Sequence, residues 1–209
     1  VTIEDNVSWS ATYAYIGGAA GYTCGTTTNL VNNAPLTIGK GCSMGTAEYN
    51  YIGGTLGQLY ADKAIGLENT AKGVVTVNES DYTGYVLLGG CIGTAPAVKT
   101  DGKTKLNESI SGCRNYATIN YHGTHSKKLI HYVGGCLGYI YEVIVSKQYF
   151  SPTVDDCHNY GAVKVEGGEL YDLRMGGVSA YLGGTTTNVT NHESGTIYFN
   201  ATTRRHLHF

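Results

Sequence analysis

"YIGGTLG" (residues 51–57) and "YVGGCLG" (residues 132–138) differ at only two of seven positions, and related stretches recur along the chain. They are "YIGGAAG" at Gly17-Gly18, "LLGGCIG" at Gly89-Gly90 and "RMGGVSA" at Gly176-Gly177. Successive glycine pairs lie 36, 36, 45 and 42 residues apart. A glycine turn beside a cysteine, read once, suggests a phosphate cradle or a nucleophile. Five copies at a near-constant period instead signal a structural repeat.

A second element follows each pair: an apolar residue or cysteine, a spacer, an asparagine and a short alternating segment. The copies are "LVNNAPLTI" from Leu30, "LENTAKGVVTV" from Leu67, "CRNYATINY" from Cys113, "CHNYGAVKV" from Cys157 and "VTNHESGTIYF" from Val189. The pair-to-asparagine distance is longer by about ten residues in the third and fourth copies, which places an insertion at the same point in each. Each unit reads as a strand, a turn, a short strand opening with the asparagine, and a third strand such as Val163-Lys164-Val165 with strict period two.

No such unit can bury an apolar face alone, so five must stack. The expected fold is all-β, a parallel β-solenoid (β-helix-like) of about five rungs with insertions in rungs three and four. Residues 1–209 form a single repeat domain whose repeats start near 15, 51, 87, 132 and 174, residues 1–5 resembling the last strand of a preceding repeat. Stacking puts Leu30, Leu67, Cys113, Cys157 and Val189 in one inward register. Asn32, Asn69, Asn115, Asn159 and Asn191 fall in another, where each amide can bond the next as a ladder.

These motifs resemble the GLUG-type glycine-rich repeats of bacterial and protist surface and secreted proteins. The resemblance covers nearly the whole chain. It implies adhesin-like or stalk-like architecture outside the cell, and it carries no catalytic motif.

Composition agrees with a β-rich repeat. The 209 residues include 30 Gly and 18 Tyr against 3 Pro and 1 Trp, and 42% are hydrophobic. Tyr, Thr, Val and Ile favour strands, while Gly and Asn favour turns. The net charge of -2 leaves no basic footprint for nucleic acid. No apolar stretch approaches the roughly 20 residues of a membrane-spanning helix.

Six cysteines, Cys24, Cys42, Cys91, Cys113, Cys136 and Cys157, form no CxxC pair. Stacked repeats bring Cys91 near Cys136 and Cys113 near Cys157, within disulfide range. Pairing inside a repeat (91 with 113, 136 with 157) and buried free thiols are the alternatives, and Cys24 with Cys42 follows by elimination. Five Asn-X-Ser/Thr sequons, at Asn6, Asn78, Asn107, Asn188 and Asn200, suit a secreted glycoprotein. Asn6, Asn78 and Asn200 each follow a third strand and are expected in turns along one edge.

Other clusters read as ordinary surface. His122, His125 and His131 are expected in solvent-exposed loops, since no carboxylate or cysteine converges on them as metal ligands would. Asp155-Asp156 beside His158, and Asp172 near Arg174, are too sparse for a polysaccharide-cleaving groove. "GTTTN", at 25–29 and 184–188, does not recur in the middle repeats as an ice-binding array requires. No catalytic residue, metal or cofactor is expected, and the chain is not read as an enzyme.

Both chain ends read as open strand templates. The expected function is therefore an extracellular or cell-surface structural protein, a stalk or the subunit of a head-to-tail homopolymeric filament. An adhesin or carbohydrate-binding module is the alternative, using tyrosine-rich faces and the two inserted loops to hold glycans or a host surface. A glycan-active β-helix enzyme ranks third.

Overall fold

The computed structural model describes residues 1–9, 11–43, 48–60, 63–79, 84–96, 109–124, 129–145 and 147–209. The protein is all-β, 65% strand, with parallel sheets that include a curled half-barrel, and no helix occurs among the described residues.

The largest sheet has ten strands. One flank holds β1 (Thr2–Ile3), β6 (Leu36–Ile38), β11 (Val75–Val77) and β16 (Ile119–Tyr121). The other holds β2 (Tyr13–Gly17), β7 (Tyr49–Gly53), β12 (Tyr85–Gly89) and β17 (Ile130–Gly134). The long β22 (Val163–Gly176) joins the flanks, pairing with β16 and then with β17, and β25 (Ile197–His208) runs beside it.

An eight-stranded sheet is built the same way. Its flanks are β4 (Thr27–Thr28), β9 (Lys63–Ile65) and β14 (Ser109–Ser111), and β5 (Val31–Asn32), β10 (Glu68–Asn69) and β15 (Arg114–Asn115). The strand β21 (Thr153–Asn159) bridges them, with β24 (Thr185–Asn191) alongside. A third sheet of five strands contains β3 (Ala20–Cys24), β8 (Leu56–Tyr60), β13 (Ile92–Pro96), β18 (Leu137–Tyr141) and β23 (Ser179–Leu182). Only β19 (Val143–Val145) and β20 (Gln148–Phe150) pair antiparallel among the described residues.

Equivalent residues of successive repeats are direct partners. Gly17, Gly53, Gly89, Gly134 and Gly176 form one continuous register. Each unit contains more strands than the three read from sequence, because the segment after the glycine pair pairs twice more before reaching the asparagine. The insertion of the fourth repeat is the β19–β20 hairpin. That of the third falls mostly on residues 97–108, outside the described residues.

Parallel pairing stacks like on like, and the core follows from it. Leu36, Val75, Ile119 and Val163 are register partners, as are Ile38, Val77, Tyr121 and Val165, and all eight are buried. Each such aliphatic side chain contributes about 2 kcal/mol on leaving water. A second cluster gathers Leu56, Ile92 and Leu137 with Leu67, Cys113 and Cys157. Leu30 and Val189 pack against its two ends.

The asparagines form a hydrogen-bonded ladder. Asn32 Nδ2 donates to Asn69 Oδ1 at 2.9 Å, Asn69 to Asn115 at 2.9 Å, Asn115 to Asn159 at 2.8 Å and Asn159 to Asn191 at 2.8 Å. The second amide hydrogen of Asn69, Asn115 and Asn159 goes to the carbonyl of Gly73, Ala117 and Gly161 respectively, and Asn191, last in the ladder, donates to the Gly195 carbonyl. The second glycine of each pair lies against this ladder. A methyl group on Gly54, Gly90 or Gly135 would overlap both the next repeat's glycine carbonyl and the local asparagine amide. Glycine is required there by close approach rather than by φ.

A further register went unread in the sequence. Asn29, Gly66, Gly112, Asp156 and Asn188 precede Leu30, Leu67, Cys113, Cys157 and Val189, and all five have positive φ, between 50° and 69°. This left-handed corner turns the chain between the two flanks of the eight-stranded sheet. Gly, Asn and Asp are the residues that adopt it at least cost.

Candidate functional site

The strand pair flanking each glycine bend carries tyrosines on the face away from the core, and the bend turns those faces toward each other. Along β2, β7 and β12, Tyr13, Tyr49 and Tyr85 are register partners whose rings stack at 5.9 and 5.1 Å. Two residues on, Tyr15, Tyr51, Leu87, Tyr132 and Arg174 form the next register. From the facing sheet come Tyr22, Gln58, Thr94, Tyr139 and Tyr181, then Tyr60 and Tyr141 nearer the strand ends.

The result is a groove. One stretch, of about 430 Å³, is lined by Tyr13, Tyr49, Tyr51, Tyr85, Tyr132, Tyr139 and Tyr141 with Leu87, Thr94 and Ile130. A second, of about 360 Å³, shares Tyr13, Tyr51 and Tyr141 with it and adds Tyr15, Tyr22, Gln58, Tyr60 and Pro96. Tyr51, Leu87 and Tyr132 are buried and make the floor, while Tyr13, Tyr15, Tyr22 and Tyr181 are exposed on the rims.

The site is polar without being acidic. Burial pushes the Tyr132 phenol up to about 12, against the opposing pull of Arg174, and burial likewise raises Tyr51, Tyr49 and Tyr139. These phenols stay neutral at physiological pH and can both donate and accept hydrogen bonds. At one end the Arg174 guanidinium lies 5.4 Å from the Tyr132 ring centre and 5.8 Å from that of Tyr181, a cation–π arrangement. Asp172, 4% exposed, precedes it by two residues on the same strand.

Elsewhere the histidine expectations are corrected in part. His131 is fully buried in β17 rather than exposed in a loop, because its register partners are the core residues Val86 and Leu173. Its Nδ1 lies 2.5 Å from the Tyr121 hydroxyl. His122 is partly exposed, 4.0 Å from Glu166, and His125 lies outside the described residues.

The acidic cluster is a structural clamp. Arg114 Nη2 donates to both oxygens of Asp156, at 2.8 and 2.7 Å, and His158 Nε2 lies 2.9 Å from the same carboxylate. His158 Nδ1 is 3.0 Å from His192 Nε2, and His192 stacks on Tyr160 at 4.0 Å. The clamp pins the left-handed corner of the fourth repeat to its neighbour. The Arg114 and His158 hydrogen bonds hold the Asp156 carboxyl below its ordinary range. A depressed carboxyl pKa stabilises the fold above the unfolded value, and that contribution disappears as pH falls through the folded one. Asp156→Asn, which keeps the left-handed φ accessible, should therefore lower the melting temperature slightly at pH 7. The gap from the unsubstituted chain should close in acid below the carboxylate range, as followed by circular dichroism melts.

No sulfur–sulfur bond joins the six cysteines in this structure. Cys24 is exposed at the end of β3, whereas Cys42 is buried in the other core with its thiol 3.2 Å from the Glu4 carbonyl, so the structure does not bring these two together. Among the sequon residues, Asn6, Asn188 and Asn200 are exposed, and Asn78 donates to the Ile38 carbonyl at 3.1 Å. Asn200 lies within β25 opposite Glu166, not in a turn, because β25 continues past the end of the repeat pattern. Asn107 is outside the described residues. The two "GTTTN" stretches occupy the same register at opposite ends, Thr27 and Thr186 aligning through the buried Ala64, Ile110 and Val154.

Among the described residues, no group of three or more His, Cys, Asp or Glu side chains is placed to hold a metal ion. In the same residues, no helix is long and apolar enough to cross a membrane. Comparison with protein-family models, curated proteins and solved structures finds no match to this chain.

Proposed function

We propose that the chain is a parallel β-solenoid of about five rungs, with insertions in the third and fourth, that works outside the cell as a carbohydrate-binding, adhesin-like module. The observation that carries this reading is the tyrosine groove, which runs across successive repeats with equivalent residues in register. Sugar rings present apolar C–H faces that pack on aromatic surface, and hydroxyls that neutral phenols, Gln58 and Thr94 can satisfy. Strand spacing is about 4.8 Å, close to the length of one sugar in an extended chain. A linear glycan laid along the groove meets an equivalent set of groups at each step. The exposed sequon residues Asn6, Asn188 and Asn200 agree with an extracellular setting.

A glycan array followed by calorimetry tests the reading. Binding to linear oligosaccharides is expected, with affinity rising with chain length. Tyr51→Ala, which opens the floor, should weaken it at least tenfold, about 1.4 kcal/mol or more, while the circular dichroism spectrum is retained. Absence of binding, or binding indifferent to Tyr51, overturns the proposal.

End-to-end stacking of copies is the second reading, favoured by exposed apolar side chains on the outer strands, Val31 on β5 and Ile197 and Tyr198 on β25. The same edges would pair with any further repeat. Negative-stain images showing fibres of the pure chain would support stacking, and a monodisperse monomer at high concentration would remove it.

A further inference from the structure

Four of the six thiols lie in the second core cluster as two pairs of register neighbours. Cys91, Cys113, Cys136 and Cys157 are each 0% exposed. Cys91 and Cys136 occupy the same place in successive repeats, between the register partners Gly89 and Gly134 on one side and Ile92 and Leu137 on the other. Cys91 N donates to Cys136 O at 2.8 Å, and their thiols approach the register-equivalent carbonyls of Arg114 and His158, at 3.2 and 3.0 Å. Cys113 and Cys157 likewise precede the partners Arg114 and His158 by one residue.

Each pair thus joins equivalent positions on neighbouring repeats. We propose that in an oxidising compartment the protein carries two disulfides between adjacent repeats, Cys91–Cys136 and Cys113–Cys157. The pairing within repeats would instead join different parts of one repeat, Cys91 in the bend between β12 and β13 to Cys113 between β14 and β15. Parallel neighbours about 4.8 Å apart lie within the Cα separation that a disulfide accepts.

The chemistry is exchange with a small-molecule disulfide such as oxidised glutathione. One cysteine thiolate attacks the glutathione disulfide, forming a mixed disulfide and expelling one glutathione thiolate. The partner thiolate then attacks the protein sulfur of that intermediate, closes the protein bond and expels the second glutathione. Two electrons pass to glutathione, and the two cysteine protons end on the two reduced glutathiones. Burial raises the Cys91 and Cys136 thiols above their ordinary range and excludes oxidant, so the bonds form while the chain folds.

The test is a disulfide map. The chain carrying Cys24→Ser, which removes the exposed thiol, is refolded in a glutathione redox buffer, acid-quenched, alkylated and digested without reduction. Mass spectrometry should find the Cys91 peptide joined to that of Cys136 and the Cys113 peptide joined to that of Cys157, with Cys42 alkylated. Linkage of Cys91 to Cys113, or alkylation of all four, overturns the proposal. In a Cys91→Ser, Cys136→Ser chain the Cys113–Cys157 link should persist, and its loss from a folded chain also counts against the pairing. None of these outcomes depends on whether the groove binds glycan.

Discussion

Gly90→Ala is expected to keep the chain from folding. The new methyl group would sit on the Gly135 carbonyl of one neighbouring repeat and on the Asn115 amide of its own. Neither obstacle can yield: the carbonyl accepts from Gly90 N at 3.0 Å, and the amide is held in the ladder on both sides. A clash of backbone against backbone in a buried column should cost more than about 4 kcal/mol, a large share of the 5–15 kcal/mol that holds a domain together. Soluble yield and the far-ultraviolet spectrum would report the loss. The control is Gly25→Ala. Gly25 has φ of +88° but no atom within 4 Å of the added carbon, so only backbone strain of about 1–2 kcal/mol applies. If both substitutions are equally tolerated, the columns are looser than their geometry states.

The second large effect lies in the ladder. Asn115→Ala removes the acceptor of Asn69 Nδ2, the donor to Asn159 Oδ1 and the bond to the Ala117 carbonyl, all in a fully buried site. Orphaned buried polar groups cost about 1–3 kcal/mol each, so destabilisation of about 4 kcal/mol is expected. For a chain of this length that lowers the melting temperature by about 10 °C. Asn191 sits at the exposed end of the ladder, where water replaces the lost partner. Asn191→Ala should cost less than about 1 kcal/mol. Equal effects at the two positions in thermal melts would show that the ladder does not act as a buried network.

The features legible in the sequence are those where one residue type has no substitute. Close approach admits only glycine and the amide ladder needs asparagine, so Gly53, Gly89, Gly134 and Asn69, Asn115, Asn159 spelled out the period directly. The left-handed corner obeys an equally strict rule but is met by three residue types. Asn29, Gly66, Gly112, Asp156 and Asn188 therefore do not look alike, although their shared ability to reach positive φ was a usable signal. His131 misled because its spacing groups it with His122 and His125, whereas its inward direction is set by Val86 and Leu173 in other repeats. The groove was half legible. Alternating tyrosines at 13 and 15, and at 49 and 51, mark a face, but the glycine bend decides that this face meets the strand carrying Gln58 and Tyr60. The thiol pairs were legible as proximity, because both members of each pair hold the same place in the repeat.

The β19–β20 hairpin leaves the repeat after β18, and the parallel register resumes at Thr153 as if nothing had intervened. Parallel pairing needs only that the chain re-enter at the right height, and closing a longer loop costs little, about 0.6 kcal/mol per doubling of its length. This junction is thus a port in the scaffold. Segments of unrelated sequence and size can be exchanged there by evolution or by an engineer, while the columns on either side keep their alignment.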